Sequence, residues 1–162
     1  MDNRRAAARR INNMLKEEQQ KDSPYYKCNL INGDLFHWKV DIIGQKGTLF
    51  EGRIFPAELT FPDDFPMSPP KMKFTCSMWH PNIGKDGTVC ISILHPPGKD
   101  KFDYESASER WLPVHTVESI VVSVISMLDD PNPESPLNIE ANREYLYDRQ
   151  EYNQKVLKTG RK

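Results

Sequence analysis

The chain has 162 residues, a length typical of one domain that buries its own core without disulfides or metals. Its 22 basic and 23 acidic side chains nearly cancel, which argues against binding of nucleic acid or of a membrane surface through bulk charge. No apolar stretch is long enough to span a bilayer, and no apolar segment of a secretory signal follows the charged N-terminus. The expected location is therefore the cytoplasm, alone or together with the nucleus.

The first predicted element is a surface helix over residues 2–21. The stretch lacks glycine and proline, and most of its long side chains are polar. A thin apolar stripe remains, which predicts that the helix docks along one side only. The members of the stripe are Ala7, Ile11 and either Met14 or Leu15.

Four strands are predicted to follow the helix, over residues 25–31, 35–43, 48–60 and 71–75. In the second strand, aromatic and β-branched residues alternate with polar ones, which is typical of a half-buried antiparallel strand. Turn residues separate the first three strands, so a meander is expected. Pro56 lies within the third strand and predicts a bulge or an edge there.

Four prolines fall within residues 61–70, between the third and fourth strands. Such a segment cannot lie in a sheet interior and predicts a stiff, extended surface loop. A stiff loop presents Phe65 and Met67 to a partner at little entropic cost. The alternative is a simple connector whose aromatic rings fold back onto the core.

Residues 76–112 show no periodic pattern, which is unusual inside a compact domain and often functional. Residues 116–128 are apolar and β-branched, but their length and their Thr-x-x-Ser start favour a buried helix over a strand. The proline-rich residues 129–136 end that helix. Two helical segments, 138–147 and 148–159, are predicted to complete the chain.

The three cysteines are an odd number in a chain without a secretory signal, which predicts reduced thiols. Their spacing matches no metal site, so no metal is expected. Cys28 and Cys76 lie in or beside predicted strands and are interpreted as small core residues. Cys90 differs because it lies in the irregular stretch, ten residues after His80.

Two kinds of chemistry are open for Cys90. In the first, His80 activates the thiol as in a Cys/His hydrolase, although a histidine in a His-Pro-Asn turn is more often structural. In the second, Cys90 accepts and donates acyl groups without a strong local base, since a thiol of pKa about 8.5 is about 3% thiolate at neutral pH. The amide of Asn82 then donates to the developing oxyanion, or it is a turn former bonded to backbone.

Five motifs, taken in this order, resemble the ubiquitin-conjugating enzymes over essentially the whole chain: Phe61–Pro70, His80–Ile83, Gly87–Leu94, Trp111–Pro113 and Asp130–Pro133. The resemblance implies an α+β ubiquitin-conjugating fold, with an N-terminal helix, a four-stranded antiparallel meander sheet, a long central helix and two C-terminal helices. It also implies that residues 1–162 form a single catalytic core domain.

The resemblance extends to a subgroup. Cys90 and Trp111 are 21 positions apart, farther than in many members of the family. The intervening residues 95–110 resemble the insertion of the G-type and Cdc34-like subgroups, and residues 111–120 are most similar to the G type. Those subgroups tend to build lysine-48-linked ubiquitin chains, so that linkage and proteasomal degradation are implied.

The roles of the family's catalytic positions are carried over one by one. The acyl carrier falls on Cys90, and the oxyanion or loop-ordering asparagine falls on Asn82. Ser92 and Ser135 stand where the family often has an acidic residue, so help with the attacking lysine is expected from the insertion or from the acceptor ubiquitin. The insertion candidates are His95, Asp100, Asp103 and Glu105, whose alternative is a solvated loop.

The resemblance implies ubiquitin, a ubiquitin-activating enzyme, a RING or U-box ligase and protein substrates as partners, with the chain a monomer. The ligase surface, which the activating enzyme overlaps, falls on Arg9, Arg10, Phe65, Met67, Pro113 and Val114. Donor ubiquitin contacts fall on Ser119 and Val122. No cofactor is expected, because the activating enzyme uses the ATP. The alternatives are conjugation of another ubiquitin-like modifier, and a non-catalytic binding module of the same fold.

Two positions depart from the residues usual in the family. Gln45 follows Gly44 where the family commonly has proline, and Arg53 follows Gly52 where a second glycine is common. Both positions lie in turns or strands away from Cys90. They predict local differences in the backbone and no loss of activity.

Overall fold

The computed structural model of the chain describes residues 3–96 and 110–162. The elements in chain order are helix α1 (Asn3–Gln19), strands β1 (Tyr26–Ile31), β2 (Asp34–Ile43), β3 (Ile54–Thr60) and β4 (Lys71–Phe74), a 3₁₀ turn (Ser92–Leu94), and helices α2 (Val117–Asp129), α3 (Ile139–Tyr147) and α4 (Arg149–Val156). The strands form one antiparallel sheet in the order β1-β2-β3-β4. The predicted α+β class and its order of elements are therefore confirmed.

One face of the sheet packs against the helices. Phe36, Trp38, Val40 and Ile42 are buried along β2, as the alternation predicted. Helix α1 contacts β2 and buries only its thin apolar stripe of Ala7, Ile11, Met14 and Leu15. Within the described part of the chain, no helix is long and apolar enough to cross a membrane.

Helix α2 begins where the Thr-x-x-Ser pattern predicted. The Thr116 side chain accepts a hydrogen bond from the amide of Ser119 at 3.2 Å, and the Ser119 hydroxyl accepts one from the amide of Thr116 at 3.4 Å. This reciprocal cap satisfies two amides that the first turn leaves without helical partners. The apolar side of α2 then fills the core with Ile120, Val121 and Val124.

The third strand is shorter than predicted, because residues 45–52 form turns and β3 begins at Ile54. The prediction of a bulge or an edge at Pro56 was wrong: β3 is an interior strand with continuous register against β2. On the β4 side, the Thr75 amide donates to the carbonyl of Pro56 at 2.9 Å. Proline has no N–H to return that bond, and the Arg161 guanidinium donates to the Thr75 carbonyl instead, at 3.5 Å.

Arg53 does more than alter the local backbone. Its buried guanidinium donates to the carbonyls of Val156 and Thr159 at 2.8 and 2.7 Å, and to the carbonyl of Leu49. A cation is well placed at the C-terminal end of α4, where the helix dipole is negative. Burial lowers the pKa of Arg53. The side chain therefore ties the β2–β3 connection to the C-terminal segment of the chain.

Candidate active site around Cys90

The backbone around Cys90 is ordered without regular secondary structure. The Cys90 amide donates to the carbonyl of Asn82 at 2.9 Å, and the Val89 amide donates to the carbonyl of Met72 in β4 at 3.1 Å. Gly87 has a φ of 95°, and a Cβ there would lie 2.1 Å from the carbonyl oxygen of Phe74. The irregular stretch is thus a tight loop pressed against the end of the sheet, and it holds the thiol in a fixed position.

His80 supports the core and does not activate Cys90. Its side chain is fully buried, its Nε2 donates to the carbonyl of Met127 at 2.8 Å, and its Nδ1 accepts from the amide of Asn82 at 3.0 Å. Burial lowers the pKa of His80 to about 4, so the ring is neutral at physiological pH. With both nitrogens occupied, no lone pair remains for a thiol proton. The hydrolase reading with His80 as base was therefore wrong, and the structural reading is confirmed.

Asn82 connects the thiol loop to the loop after α2. Its Nδ2 donates to the carbonyls of Asn132 and Ser135 at 2.8 and 3.2 Å, and its Oδ1 accepts from the amide of Asn132 at 2.8 Å. The backbone partners fix which end of the amide is which. These bonds are those of a loop-ordering asparagine. Donation to an oxyanion stays a prediction, because both Nδ2 hydrogens are occupied in this arrangement.

The thiol of Cys90 opens into a small polar cavity of about 170 Å³. The residues that line it include Asn82, Cys90, Ser92, His95, Asp130 and Ser135. The structure thus brings together the five predicted positions Asn82, Cys90, Ser92, His95 and Ser135. Asp130 was not predicted, although it is the first residue of the Asp-Pro-Asn-Pro motif.

His95 is the imidazole beside the thiol, with its Nε2 3.7 Å from the sulfur of Cys90. The 3₁₀ turn places it there, because the His95 amide donates to the carbonyl of Ser92 at 2.9 Å. The carbonyl of His95 accepts from the amide of Trp111 at 3.1 Å, which joins the two ends of the insertion. Of the other insertion candidates, Asp100, Asp103 and Glu105 lie outside the described residues.

The other two cysteines are held as thiols. Burial raises the pKa of Cys28 to about 12, with a smaller contribution from the nearby Glu18. Burial also raises the pKa of Cys76. Both pack against the hydrophobic core, which agrees with their interpretation as small core residues. Among the residues the structure covers, no group of three or more His, Cys, Asp and Glu side chains is arranged to hold a metal ion.

A surface next to α1 matches only part of the predicted ligase site. Met67 and Val114 are 63% and 75% exposed, and Arg9 and Pro113 are exposed beside them. The expectation that the proline-rich loop presents Phe65 was wrong, since that ring is 2% exposed. It packs 4.9 Å from the ring of Phe61 and 5.7 Å from that of Trp111, which is the folded-back alternative.

Two bonds join the parts of this surface. Trp111 Nε1 donates to the carbonyl of Pro66 at 2.8 Å, and Arg10 Nη2 donates to the carbonyl of Pro113 at 3.4 Å. Arg10 therefore positions a loop in addition to carrying charge. Leu112, which is also exposed, was not predicted. We call Arg9, Met67, Leu112, Pro113 and Val114 the α1-loop surface.

The predicted donor-ubiquitin positions lie along α2. Val122 is half exposed, while Ser119 is partly buried because its side chain belongs to the helix cap. A hollow of about 440 Å³ runs beside Val122 and is also lined by Ile91 and Ser92. Ile91 and Ser92 line the thiol cavity as well, so the hollow beside α2 and the thiol cavity adjoin each other.

Comparison with known proteins gives the class of this fold and site. The family described as "Ubiquitin-conjugating enzyme" matches residues 10–159, and the chain belongs to that family. Its members are transferases that carry ubiquitin as a thioester on an active-site cysteine, and they act with an activating enzyme and a ligase. Membership in this family therefore favours an enzyme over the alternative of a non-catalytic binding module.

Three relatives illustrate the similarity. Ubiquitin-conjugating enzyme E2 15 of Schizosaccharomyces pombe is 49% identical over 158 residues, which cover 97% of this chain and 95% of the relative. Ubiquitin-conjugating enzyme E2 7 of Arabidopsis thaliana is 57% identical, covering 80% and 78% of the two chains. Ubiquitin-conjugating enzyme E2 G2 of Homo sapiens is 54% identical, covering 74% and 72%.

Proposed function

We propose that Cys90 accepts ubiquitin from the activating enzyme as a thioester and transfers it to a lysine of a substrate or of another ubiquitin. The observation that carries the proposal is the polar cavity at the Cys90 sulfur, with the His95 imidazole 3.7 Å away. Cys28 and Cys76 are poor alternatives, because burial raises the pKa of each. Exchange of one thioester for another is nearly energy-neutral, so positioning matters more than a strong base.

The proposed roles of the cavity residues follow from their contacts. Imidazole exchanges protons readily near neutral pH, so His95 exchanges a proton at the Cys90 sulfur or at the incoming amine. Asn82 keeps the loop after α2 in place through its three backbone bonds. The hydroxyls of Ser92 and Ser135 supply hydrogen-bonding groups at the cavity and carry no charge.

The α1-loop surface is the proposed docking site for a RING or U-box ligase. It combines exposed apolar side chains (Met67, Leu112, Val114) with the arginine Arg9, a composition suited to a partner with an apolar centre and an acidic rim. The activating enzyme overlaps it through α1. The exposed side of α2 at Val122 is the proposed contact for donor ubiquitin, supported by the hollow there that adjoins the thiol cavity.

We further propose membership in the G-type subgroup and synthesis of lysine-48-linked chains that mark substrates for proteasomal degradation. The long insertion after Cys90 and the similarity to a relative named E2 G2 support the subgroup. Residues 1–162 are proposed to act as a single-domain monomer in the cytoplasm, with or without the nucleus. No cofactor is assigned, since the ATP of the pathway is used by the activating enzyme.

The test is a charging assay with activating enzyme, ubiquitin and ATP, resolved with and without reducing agent. The wild type is expected to form an adduct that reductant removes. Cys90→Ser is expected to form a more stable oxyester, while Cys28→Ser and Cys76→Ser still charge. An adduct that persists in Cys90→Ala contradicts the proposal. Charging by another modifier and its own activating enzyme, with none by ubiquitin, identifies a different conjugation pathway.

A further inference from the structure

Asp130 occupies a defined place in the wall of the thiol cavity. It follows the last residue of α2, and its amide donates to the carbonyls of Ser126 and Met127 at 3.0 and 3.2 Å. These two bonds fix its backbone, and an aspartate side chain is too short to move far from that point. Within residues 3–96 and 110–162, it is the one carboxylate-bearing residue that lines the cavity.

The Asp130 carboxylate has no structural partner that would account for it. No hydrogen bond or ion pair joins its side chain to another residue in the described ranges, and the residue is exposed. Acidic residues that support the fold behave differently: Glu18 in α1, for example, accepts hydrogen bonds from Tyr26 and Lys21. A carboxylate that supports no part of the fold is available to a group that enters the cavity.

The electrostatics of the cavity favour an entering cation. The C-terminal end of α2, which bears the negative end of the helix dipole, faces the cavity through Met127 and Asp130. The negative charge of the carboxylate adds to that field. Ser92 and Ser135, which also line the cavity, contribute hydroxyls without charge. The negative charge at this site therefore comes from the end of α2.

We propose that Asp130 orients the amine of the acceptor lysine and receives its proton during transfer, an inference that rests on the proposed function of Cys90. The lysine nitrogen forms a bond to the thioester carbonyl carbon, the bond from that carbon to the Cys90 sulfur breaks, and the sulfur leaves as a thiolate. The extra proton on nitrogen passes to the Asp130 carboxylate and then to solvent. The products are an isopeptide and the Cys90 thiolate.

Asp130 does not act by deprotonating the lysine before attack. A carboxylate beside an ammonium stabilises the charged form, and a lysine has a pKa of about 10.4 in water. The carboxylate instead holds the amine by a charge-assisted hydrogen bond. It accepts the proton once bond formation makes the nitrogen acidic. His95, which lies beside the sulfur, belongs to a different element, the end of the 3₁₀ turn.

The experiment charges wild type and Asp130→Asn with ubiquitin and measures discharge of the purified thioester onto lysine or onto hydroxylamine, which is uncharged at neutral pH. Asp130→Asn is expected to charge normally and to discharge onto lysine about tenfold more slowly, the size expected for loss of one charge-assisted hydrogen bond. Discharge onto hydroxylamine is expected to stay within about twofold, because its weakly basic nitrogen becomes more acidic on attack and gives its proton to water without help. Asp130→Glu is expected to recover most of the rate with lysine.

Asp129→Asn is the matched control. Asp129 is adjacent, exposed and also acidic. It lines an apolar hollow with Ile42 and Phe50, to which Asp130 also contributes, but unlike Asp130 it does not line the thiol cavity. It is expected to discharge onto lysine at the wild-type rate. The lysine defect of Asp130→Asn is also expected to shrink as the pH rises from about 7 to about 9, since hydroxide can then accept the proton that the carboxylate otherwise receives.

Three outcomes overturn the inference. They are an unchanged lysine rate in Asp130→Asn, an equal loss in Asp129→Asn, and an equal loss with hydroxylamine, which indicates a distorted cavity. Absence of any Cys90 thioester in the wild type instead overturns the proposed function, and the charging step reports that separately.

Discussion

The two sides of the thiol cavity are built in opposite ways. On one side, Asn82 in the cavity wall and His80 in the core next to it use every polar side-chain atom on backbone groups of the protein itself. On the other side, the 3₁₀ turn brings His95 to the sulfur of Cys90 and Ser92 to the cavity. The sequence has two histidines near Cys90, and the contacts of their rings distinguish them. Both ring nitrogens of His80 are bonded to the backbone, whereas the ring of His95 lies beside the sulfur. Substitutions should therefore affect stability on the first side and rate on the second.

The largest expected effect is on stability, from His80→Ala. The change leaves the carbonyl of Met127 and the amide of Asn82 without partners in the core and opens a cavity, so the free energy of unfolding should fall by about 3 kcal/mol. Urea unfolding measures it. His37→Ala is the control, because His37 pairs with Glu58 at the surface and should change stability by less than about 1 kcal/mol. Equal losses in both variants contradict the scaffold role.

The same histidine predicts how stability depends on pH. The pKa of His80 is about 4 in the folded protein and about 6.5 when unfolded. Below pH 6.5 the unfolded chain therefore binds a proton that the folded chain does not. The free energy of unfolding decreases as the pH is lowered from about 6.5 to about 4. His80→Ala should flatten the stability curve over that window. An unchanged slope in the variant would show that other groups dominate acid unfolding.

A smaller loss of stability, about 2 kcal/mol, is expected from Asn82→Ala, which removes three backbone bonds. Hydrogen exchange should become faster at the Asn132 amide, since Asn82 Oδ1 is its acceptor. Asn82→Asp keeps an acceptor and should retain more of that protection. If transfer collapses while exchange at Asn132 stays slow, the oxyanion role, and not loop ordering, explains the residue.

On the other side of the cavity, His95→Gln should leave the unfolding free energy within about 0.5 kcal/mol of wild type. Discharge of the ubiquitin thioester onto lysine should slow by about tenfold, because glutamine cannot exchange a proton near neutral pH. A single-turnover discharge assay gives the rate. His37→Gln is the control, since His37 pairs with Glu58 on the sheet and lines neither the thiol cavity nor the hollow along α2. A stability loss as large as that of His80→Ala would show that His95 is also a structural residue and would contradict the distinction between the two sides.

The smallest effect is expected at the α1-loop surface. Met67→Ala should leave charging unchanged and reduce ligase-stimulated discharge severalfold, because the exposed side chain contributes only to docking. Phe65→Ala should instead destabilise the fold by about 3 kcal/mol, since that ring is buried against Trp111. A titration with a RING ligase compares the two variants after unfolding curves are known. Equal loss of charging and discharge in Met67→Ala argues against docking.

The elements were predictable because their signals are local. Alternation gave the buried face of β2, and Thr116 and Ser119 marked the start of α2. The site was harder, since the spacing of His80, His95 and Cys90 does not tell which ring nitrogen meets which backbone group. The prediction of a bulge or an edge at Pro56 was wrong because the compensating contact is not local. The hydrogen bond that proline cannot donate is replaced by one from Arg161, more than a hundred residues away. The position of Asp130 at the thiol cavity was not predicted, because its proline-rich motif was interpreted only as the end of a helix.

Gly87 limits which amino-acid substitutions this protein tolerates in the loop that precedes Cys90. Any other residue there would drive its first side-chain carbon into the carbonyl of Phe74, in a backbone conformation that only glycine adopts easily. A saturation mutagenesis screen under selection for ubiquitin transfer should therefore find position 87 as intolerant as the nucleophile itself. The glycine meets no substrate. Its intolerance would come from the backbone conformation that the loop requires. Sensitivity to substitution alone would therefore mark Gly87 as a reacting residue, although it takes no part in the chemistry.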